Sequence, residues 1–297
     1  MAGMNPATFT SNAIPVDDWR EVAVMHLERA KGHTIPARER HTRHEPHPIE
    51  DFLFDYYPFP LSLLEKWHPG VGTALVIDGD IPEQLRSKHY RVTSKSIEAD
   101  PACLTEKERL RLGYMIEILE ATRDRAPNFG CHGLHEWAMV YRGKEIRHKK
   151  TLSLRLPQHE IDNLVQSRPI SCSHHDAFRF FVEDSKTFNL LQPTLETRAE
   201  HEQPACLHAN MDLYKWAAKA MPWVGSRLLL DCFELALDLR DLDMRASPYD
   251  MTPWGRDPVR IETPEGRRQY EKEQRKLAER AKPLRQRLID SLKDVLA

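Results

Sequence analysis

The chain has 297 residues, of which 40% are hydrophobic and 30% are charged, and its formal net charge is -2. This length allows one substantial hydrophobic core, and the small net charge excludes an overall attraction to nucleic acid, so any DNA contact would need a local basic patch. The five cysteines form no CxxC pair and no stretch reaches the roughly 18 consecutive apolar residues of a membrane span, so we expect reduced thiols, a cytoplasmic location and no membrane partner.

The N-terminal third contains helical and strand-like patterns. Asp17 and Asp18 are placed to begin a helix, and residues 48–57 and 60–67 form two short helical patterns broken by prolines. Residues 73–79 and 89–93 are rich in β-branched side chains, which predicts two strands.

A basic segment lies at about 28–47. It is rich in arginine and histidine and lacks hydrophobic periodicity, which predicts an N-terminal arm or loop. One interpretation is an arm that contacts the phosphates of duplex DNA, and the alternative is a solvated connector. The candidate nucleic-acid-binding residues are Arg29, Arg38, Arg40 and Arg43.

The remaining two thirds are mostly helical in pattern. A capping box at Thr105 and Glu108 predicts a helix up to Pro127, residues 151–156 alternate like a strand, and Pro157 begins a short helix. Three longer helices are predicted at about 207–220, 226–245 and 264–296. We therefore expect a helix-dominated α+β fold with several short strands, C-terminal long helices and one compact domain over residues 1–297.

Histidines and carboxylates recur inside apolar segments between Cys131 and Asp243, where an unpaired charge would be costly to bury. Such groups indicate a metal or catalytic centre, or a set of structural hydrogen bonds. The candidate metal ligands are His132, His135, Glu136, His175 and His208.

Local spacing supports these candidates to different degrees. His132, His135 and Glu136 would share one face of a helix that began at His132, although Gly130 and Gly133 weaken such a helix. The alternative for this segment is a turn in which both imidazoles donate to backbone carbonyls.

Two further pairs carry the same ambiguity. Adjacent side chains of a strand point to opposite faces, so only one of His174 and His175 can face a pocket, and we favour His175. Asp176 is expected to cap a helix. His208 and Asp212 have the i, i+4 spacing of a helical pair, which fits a structural contact or a catalytic pair.

An acidic stripe follows one side of the predicted helix 226–245. Asp231, Glu234, Asp238 and Asp241 fall within about 80° at 100° per residue, while most of the other side chains are apolar. The stripe is either exposed or turned inward, and in the second case metal ions or the basic segment would balance its charge. Asp231, Glu234 and Asp212 are the candidate catalytic carboxylates.

Mixed imidazole and carboxylate ligands favour iron, manganese or zinc over calcium or magnesium, and helical sites rich in carboxylates also suit a di-iron centre. These metals are the cofactors that the sequence allows.

Several segments along most of the chain resemble a group of actinobacterial proteins identified as 3-methyladenine DNA glycosylases. They include Phe129-Gly-Cys-His-Gly-Leu-His-Glu-Trp, His175-Asp-Ala-Phe-Arg-Phe-Phe, Glu202-Gln-Pro-Ala-Cys-Leu-His-Ala-Asn-Met-Asp and Ala246-Ser-Pro-Tyr-Asp. The resemblance implies a hydrolase that cleaves the N-glycosidic bond of an alkylated, flipped-out base during base excision repair. Pro69-Gly-Val-Gly resembles the hairpin of helix-hairpin-helix glycosylases, but the strand pattern that follows it does not fit that motif.

Two functions therefore stay open. The first is a DNA glycosylase, as the resemblance implies. The second is a helical metalloenzyme, for example an oxidoreductase, that acts on a small molecule.

Overall fold

Helices dominate the part of the chain that the computed structural model describes, residues 13–143 and 152–297. The long helices are α1 (Val16–Arg43), α4 (Glu106–Asp124), α10 (Leu207–Lys219), α11 (Ser226–Ala246) and α12 (Pro264–Leu296). The short helices are α2 (Phe52–Tyr56), α3 (Ser62–Glu65), α5 (Leu134–Ala138), α6 (Gln158–Gln166), α7 (His175–Phe178), α8 (Glu183–Lys186) and α9 (Arg198–His201). The prediction of a helix-dominated α+β fold is confirmed.

The C-terminal helices form the centre of the hydrophobic core. Helices α10 and α11 pack against each other, and α12 contacts both of them and α4. α11 is buried around most of its circumference because it lies between α10 and α12, so its leucines face apolar neighbours on two sides. The predicted bounds of these three helices agree with the structure to within one residue. Within the two described ranges, no helix is both long enough and apolar enough to cross a membrane.

A three-stranded antiparallel sheet packs beside the N-terminal helix. Its strands are β1 (Ala74–Val76), β2 (Tyr90–Val92) and β3 (Ser96–Ala99), in the order β1-β3-β2. β3 pairs with both other strands, and Ile97 lies opposite Leu75 in the β1 register. The sequence predicts β1 and β2 but not β3, because the four residues of β3 are too few to show a clear alternation.

The segment predicted as strand 151–156 is only partly described, since Thr151 lies outside the described residues. Leu154 forms an isolated antiparallel bridge with Tyr249. The described part of the segment therefore makes one local pairing and does not form an extended strand. The short helix expected after Pro157 is α6.

The basic segment at 28–47 is not an arm or loop, and this prediction was wrong. It is helical up to Arg43 as the second half of α1, with Pro36 inside the helix. The buried face of α1 includes His26, Ala30 and Thr34, which are spaced four residues apart. Small and polar residues form this buried stripe, so the hydrophobic periodicity that usually indicates a helix is weak.

A close approach at the start of α12 leads to a stability prediction. A Cβ atom at Gly266 would lie 1.9 Å from the carbonyl oxygen of Arg260, so Gly266→Ala forces the backbone to move. We expect this change to lower the free energy of unfolding by at least about 2 kcal/mol in urea denaturation. Gly113→Ala is the matched control, because Gly113 lies inside α4 and a Cβ atom there would meet no neighbouring atom within 4 Å. Gly113→Ala should raise the free energy of unfolding by up to about 1 kcal/mol. A lower free energy of unfolding in both variants would contradict the steric argument.

Candidate functional site

Four ionisable side chains from three helices meet in the protein interior. His135 and Glu136 belong to α5, His208 to α10 and Asp243 to α11, and one potential ligand atom from each lies within 4.8 Å of the others. We call this group the His–carboxylate centre. Three of its members were candidate metal ligands from the sequence, and Asp243 was not.

Glycine at position 133 brings α5 against the ends of α11 and α12. Gly133 has φ +76°, and a Cβ atom there would lie 3.3 Å from Ala246 and 3.3 Å from Tyr270. The indole nitrogen of Trp137 donates to the carbonyl oxygen of Ala246 at 2.9 Å. α5 is therefore held at a fixed distance from α11, which places His135 beside Asp243.

Hydrogen bonds and ion pairs order the centre. His135 Nε2 donates to Asp243 Oδ1 at 2.8 Å, and Arg240 Nη1 donates to Asp243 Oδ2 at 2.8 Å. Arg240 also lies 3.5 Å from Glu136 Oε1. His208 Nε2 is 3.9 Å from Asp243 Oδ2, so the two groups are close without a direct hydrogen bond.

The two carboxyl groups of the centre titrate in opposite directions. Burial and the neighbouring charge of Asp243 raise the pKa of Glu136 above its ordinary value. Burial also opposes ionisation of Asp243, but His135, His208 and Arg240 outweigh it and hold the pKa of Asp243 well below its ordinary range. Glu136 is therefore the group that can carry a proton, while Asp243 stays ionised.

The two imidazoles differ as well. Burial alone would lower the pKa of His135, but Asp243 and Cys131 raise it well above its ordinary value. Burial lowers the pKa of His208 to about 3, which keeps this ring neutral at physiological pH.

His132 is not part of the centre, contrary to the predicted helical face. The helix begins at Leu134, two residues after His132, and His132 has a left-handed φ of 49°. Its Nδ1 contacts the carbonyl oxygen of Gly130 at 3.1 Å. His132 thus follows the turn alternative considered for this segment.

A second buried group surrounds Asp212, and it contains His174 in place of the favoured His175. His174 Nε2 donates to Asp212 Oδ2 at 3.2 Å, whereas His175 is half-buried beside Asp176 at 3.5 Å. The strand expected at these two residues is absent, because His174 is the N-cap of α7 and His175 is its first residue, and the favoured ring is not the one that joins Asp212. Asp176 is not the N-cap of α7, because His174 occupies that position.

Asp212 has its acceptor positions filled by protein groups. It contacts Lys215, and it accepts hydrogen bonds from Arg198 Nη2 at 2.9 Å and from the Tyr57 hydroxyl at 2.8 Å. Arg198 also pairs with Glu202, at 2.7 Å. We call His174, Arg198, Glu202, Asp212 and Lys215 the Asp212 network. Two permanent cations balance its two carboxylates, so Asp212 fits a structural ion pair better than the catalytic role predicted for it.

His208 lies between the two groups. Its ring centroid is 4.6 Å from that of His135 and 5.5 Å from that of His174. A row of three imidazoles therefore connects Asp243 to Asp212 through the core.

An aromatic cavity of about 180 Å³ opens at the His–carboxylate centre. Glu136, His208 and Arg240 form its polar side. Its other lining residues are Phe52, Tyr56, Met139, Asp176, Ala177, Phe180 and Tyr249. A neighbouring cavity of about 520 Å³ shares Phe52, Tyr56 and Arg240, so the polar side can be reached from a larger cleft. A polar end inside an apolar wall is typical of small-molecule sites.

The predicted catalytic residues Asp231 and Glu234 lie outside this cavity. Both accept hydrogen bonds from Arg29 Nη2, and Asp231 also pairs with Arg287 at 2.9 Å. Two members of the acidic stripe therefore face α1, whereas Asp238 pairs with Arg280 of α12 and Asp241 pairs with Arg245 and Arg256.

The arginines predicted to bind DNA all have acidic partners. Besides Arg29, these ion pairs are Arg38 with Glu65 at 2.6 Å, Arg40 with Asp51 at 2.6 Å and Arg43 with Glu39 at 3.1 Å. Phosphate binding would have to break or share these pairs, which weakens the expectation of a DNA-binding arm.

Sequence reasoning missed Asp243 and Arg240, although a signal for them exists. At 100° per residue, both lie roughly 140–160° from the centre of the acidic stripe, on the apolar face of the helix. An acid and an arginine three residues apart on an apolar face indicate a buried ion pair, which these two residues form.

The chain matches no model of a protein family, and comparisons with curated proteins and with solved structures find no similar protein.

Proposed function

We propose that this protein is a metal-dependent enzyme in which His135, Glu136, His208 and Asp243 bind one metal ion and the aromatic cavity binds a small molecule. The observation that carries the proposal is the convergence of these four side chains within 4.8 Å, with Glu136 and His208 lining that cavity. Two imidazoles and two carboxylates suit iron, manganese or zinc.

The donor groups fit a metal ion in charge and in available lone pairs. Only one permanent cation, Arg240, contacts the two carboxylates of the centre within the described residues, so the centre has room for further positive charge. Neither ring nitrogen of His208 has a hydrogen-bond partner within the described ranges, which leaves a lone pair for coordination. In the Asp212 network, two permanent cations already contact the carboxylates, which favours one metal ion over the di-iron centre considered from the sequence.

The residues around the centre have distinct roles in this proposal. Arg240 orients Asp243 and Glu136 through its guanidinium group. Glu136 and His208 line the cavity, so a metal ion that they bind would lie beside a molecule held there. A bound metal would supply Lewis-acid or redox chemistry next to that molecule.

Hydrolysis of the N-glycosidic bond of an alkylated base, as implied by the resemblance to glycosylases, is a second candidate reaction for the same cavity. Phe52 and Tyr56 stack with centroids 5.1 Å apart and an interplanar angle of 13°, which offers a flat surface to a flipped-out base. Glu136 would then serve as the acid or base in place of Asp231, Glu234 and Asp212, because it lines the cavity and those three residues do not.

Elemental analysis of the purified protein tests the proposal. We expect about one iron, manganese or zinc ion per chain, lost in His208→Ala and retained in the control His132→Ala, because His132 lies outside the centre. Folded wild-type protein that binds none of these metals would contradict it. Release of an alkylated base from duplex DNA in the presence of EDTA would instead support hydrolysis without a metal.

A further inference from the structure

A separate basic cavity lies between the C-terminal end of α4, residues 125–129 and the middle of α12. Its volume is about 570 Å³. Arg123, Arg125, Arg275, Lys282 and Arg285 line it, against a single acidic lining residue, Glu279. None of these residues belongs to the His–carboxylate centre or the Asp212 network, so we call this site the basic cavity.

Arg285 forms the inner side of the basic cavity and is only 1% exposed. It donates to the side-chain oxygen of Asn210, and its Nε has no hydrogen-bond partner within the described residues. Among the described residues, no carboxylate lies within ion-pair distance of Arg285. Burial lowers the pKa of Arg285 to about 10, so the side chain still carries its charge at neutral pH. A buried guanidinium without a counter-ion is costly, which makes an anion in this cavity favourable.

Arg125 supplies a second charge that no acidic side chain in residues 13–143 and 152–297 balances. Its Nε donates to the carbonyl oxygen of Glu202 at 3.1 Å, and its Nη2 donates to that of Ala199 at 2.7 Å. These contacts fix the guanidinium group without neutralising it. Three other cations of the cavity are paired with acids, Arg123 with Asp124, Arg275 with Glu271 and Lys282 with Glu279. The anion-binding capacity is therefore concentrated at Arg125 and Arg285.

The cavity also has a flat apolar wall. Phe129 lies there with Pro127 and Pro204, and the guanidinium carbon of Arg275 is 3.8 Å from the Phe129 ring centroid. We infer that the basic cavity binds a small organic phosphate, with the phosphate at Arg125 and Arg285 and a planar group near Phe129. Arginine pairs suit phosphate because their N–H groups match its oxygen atoms.

Isothermal titration with AMP, adenosine and inorganic phosphate at constant ionic strength tests this inference on the full-length chain. We expect AMP to bind more tightly than inorganic phosphate, and adenosine to bind at least about tenfold more weakly than AMP. Arg125→Gln and Arg285→Gln should each weaken AMP binding by about tenfold or more. Arg125 is exposed, so its substitution serves as the test if Arg285→Gln does not fold.

Two controls make the result specific. Arg280 lies on α12, like Arg285, but it pairs with Asp238 and does not line the basic cavity. AMP binding should therefore not change in Arg280→Gln. His208→Ala should also leave AMP binding unchanged, which separates this inference from the metal proposal. Equal affinity for AMP and adenosine, or unchanged AMP binding in Arg125→Gln, would overturn it.

Discussion

Replacing Asp212 with alanine should lower the free energy of unfolding by about 3 kcal/mol, because the change removes the carboxylate that two buried cations share and leaves only Glu202 and Asp176 to balance them. Asp212 is the shared acceptor of Arg198 and Lys215, and Arg198 is only 5% exposed. The Tyr57 hydroxyl would also lose its acceptor. Guanidinium chloride denaturation measures the effect directly.

Asp231→Ala is the matched control for this prediction. Asp231 also contacts two cations, Arg29 and Arg287, but these are 40% and 45% exposed and can return to water. We expect a loss of about 1 kcal/mol or less. Equal losses for the two variants would show that burial of the Asp212 network is not what makes it stabilising.

Acid titration gives an independent check on Asp212. Burial opposes its ionisation, but Lys215, His174 and Arg198 hold its pKa well below the ordinary value. A carboxyl group with a depressed folded-state pKa stabilises the fold above its unfolded pKa of about 3.9 and loses that contribution as the pH falls. The stability difference between wild type and Asp212→Ala should therefore be largest near neutral pH and decrease in acid.

The long helices of this fold can be predicted from sequence because their signals are local. The three C-terminal helices follow from apolar periodicity, and the Thr105 capping box begins α4 as expected. Apolar periodicity did not predict the part of α1 that follows residue 28. Its buried face is formed by residues such as Ala30 and Thr34, and its arginines are balanced by acids that are distant in sequence, such as Glu65 and Glu234.

The candidate site is only partly predictable for a related reason. Helical spacing identified His135, Glu136 and His208, because a histidine or acid inside an apolar segment is unusual. Helical spacing could not show that Asp243 is the fourth member of the centre, because this depends on how α5 packs against α11. Which of two adjacent histidines turns inward was also undetermined, because it depends on the position of Asp212.

The second large effect that we expect concerns metal affinity and its dependence on pH. His135 has a raised pKa in the metal-free centre and must lose its proton to coordinate a metal. Because His135 is protonated at neutral pH, each metal ion displaces one proton from this ring. Affinity should therefore rise by about tenfold per pH unit between about pH 6 and pH 8, measured by competition with a chelator.

Asp243→Asn should lower the metal affinity and also reduce the slope with which that affinity rises with pH. Loss of the carboxylate removes a ligand, which should weaken metal binding by at least about a hundredfold, more than the loss of an outer-shell partner. The same change removes the charge that raises the pKa of His135, so this proton leaves at lower pH and the slope above neutral pH decreases. Asp241→Asn is the control, because Asp241 lies two residues away on α11 and pairs with Arg245 and Arg256 at the surface. A variant Asp243→Asn with wild-type affinity and slope would exclude the His–carboxylate centre as the metal site.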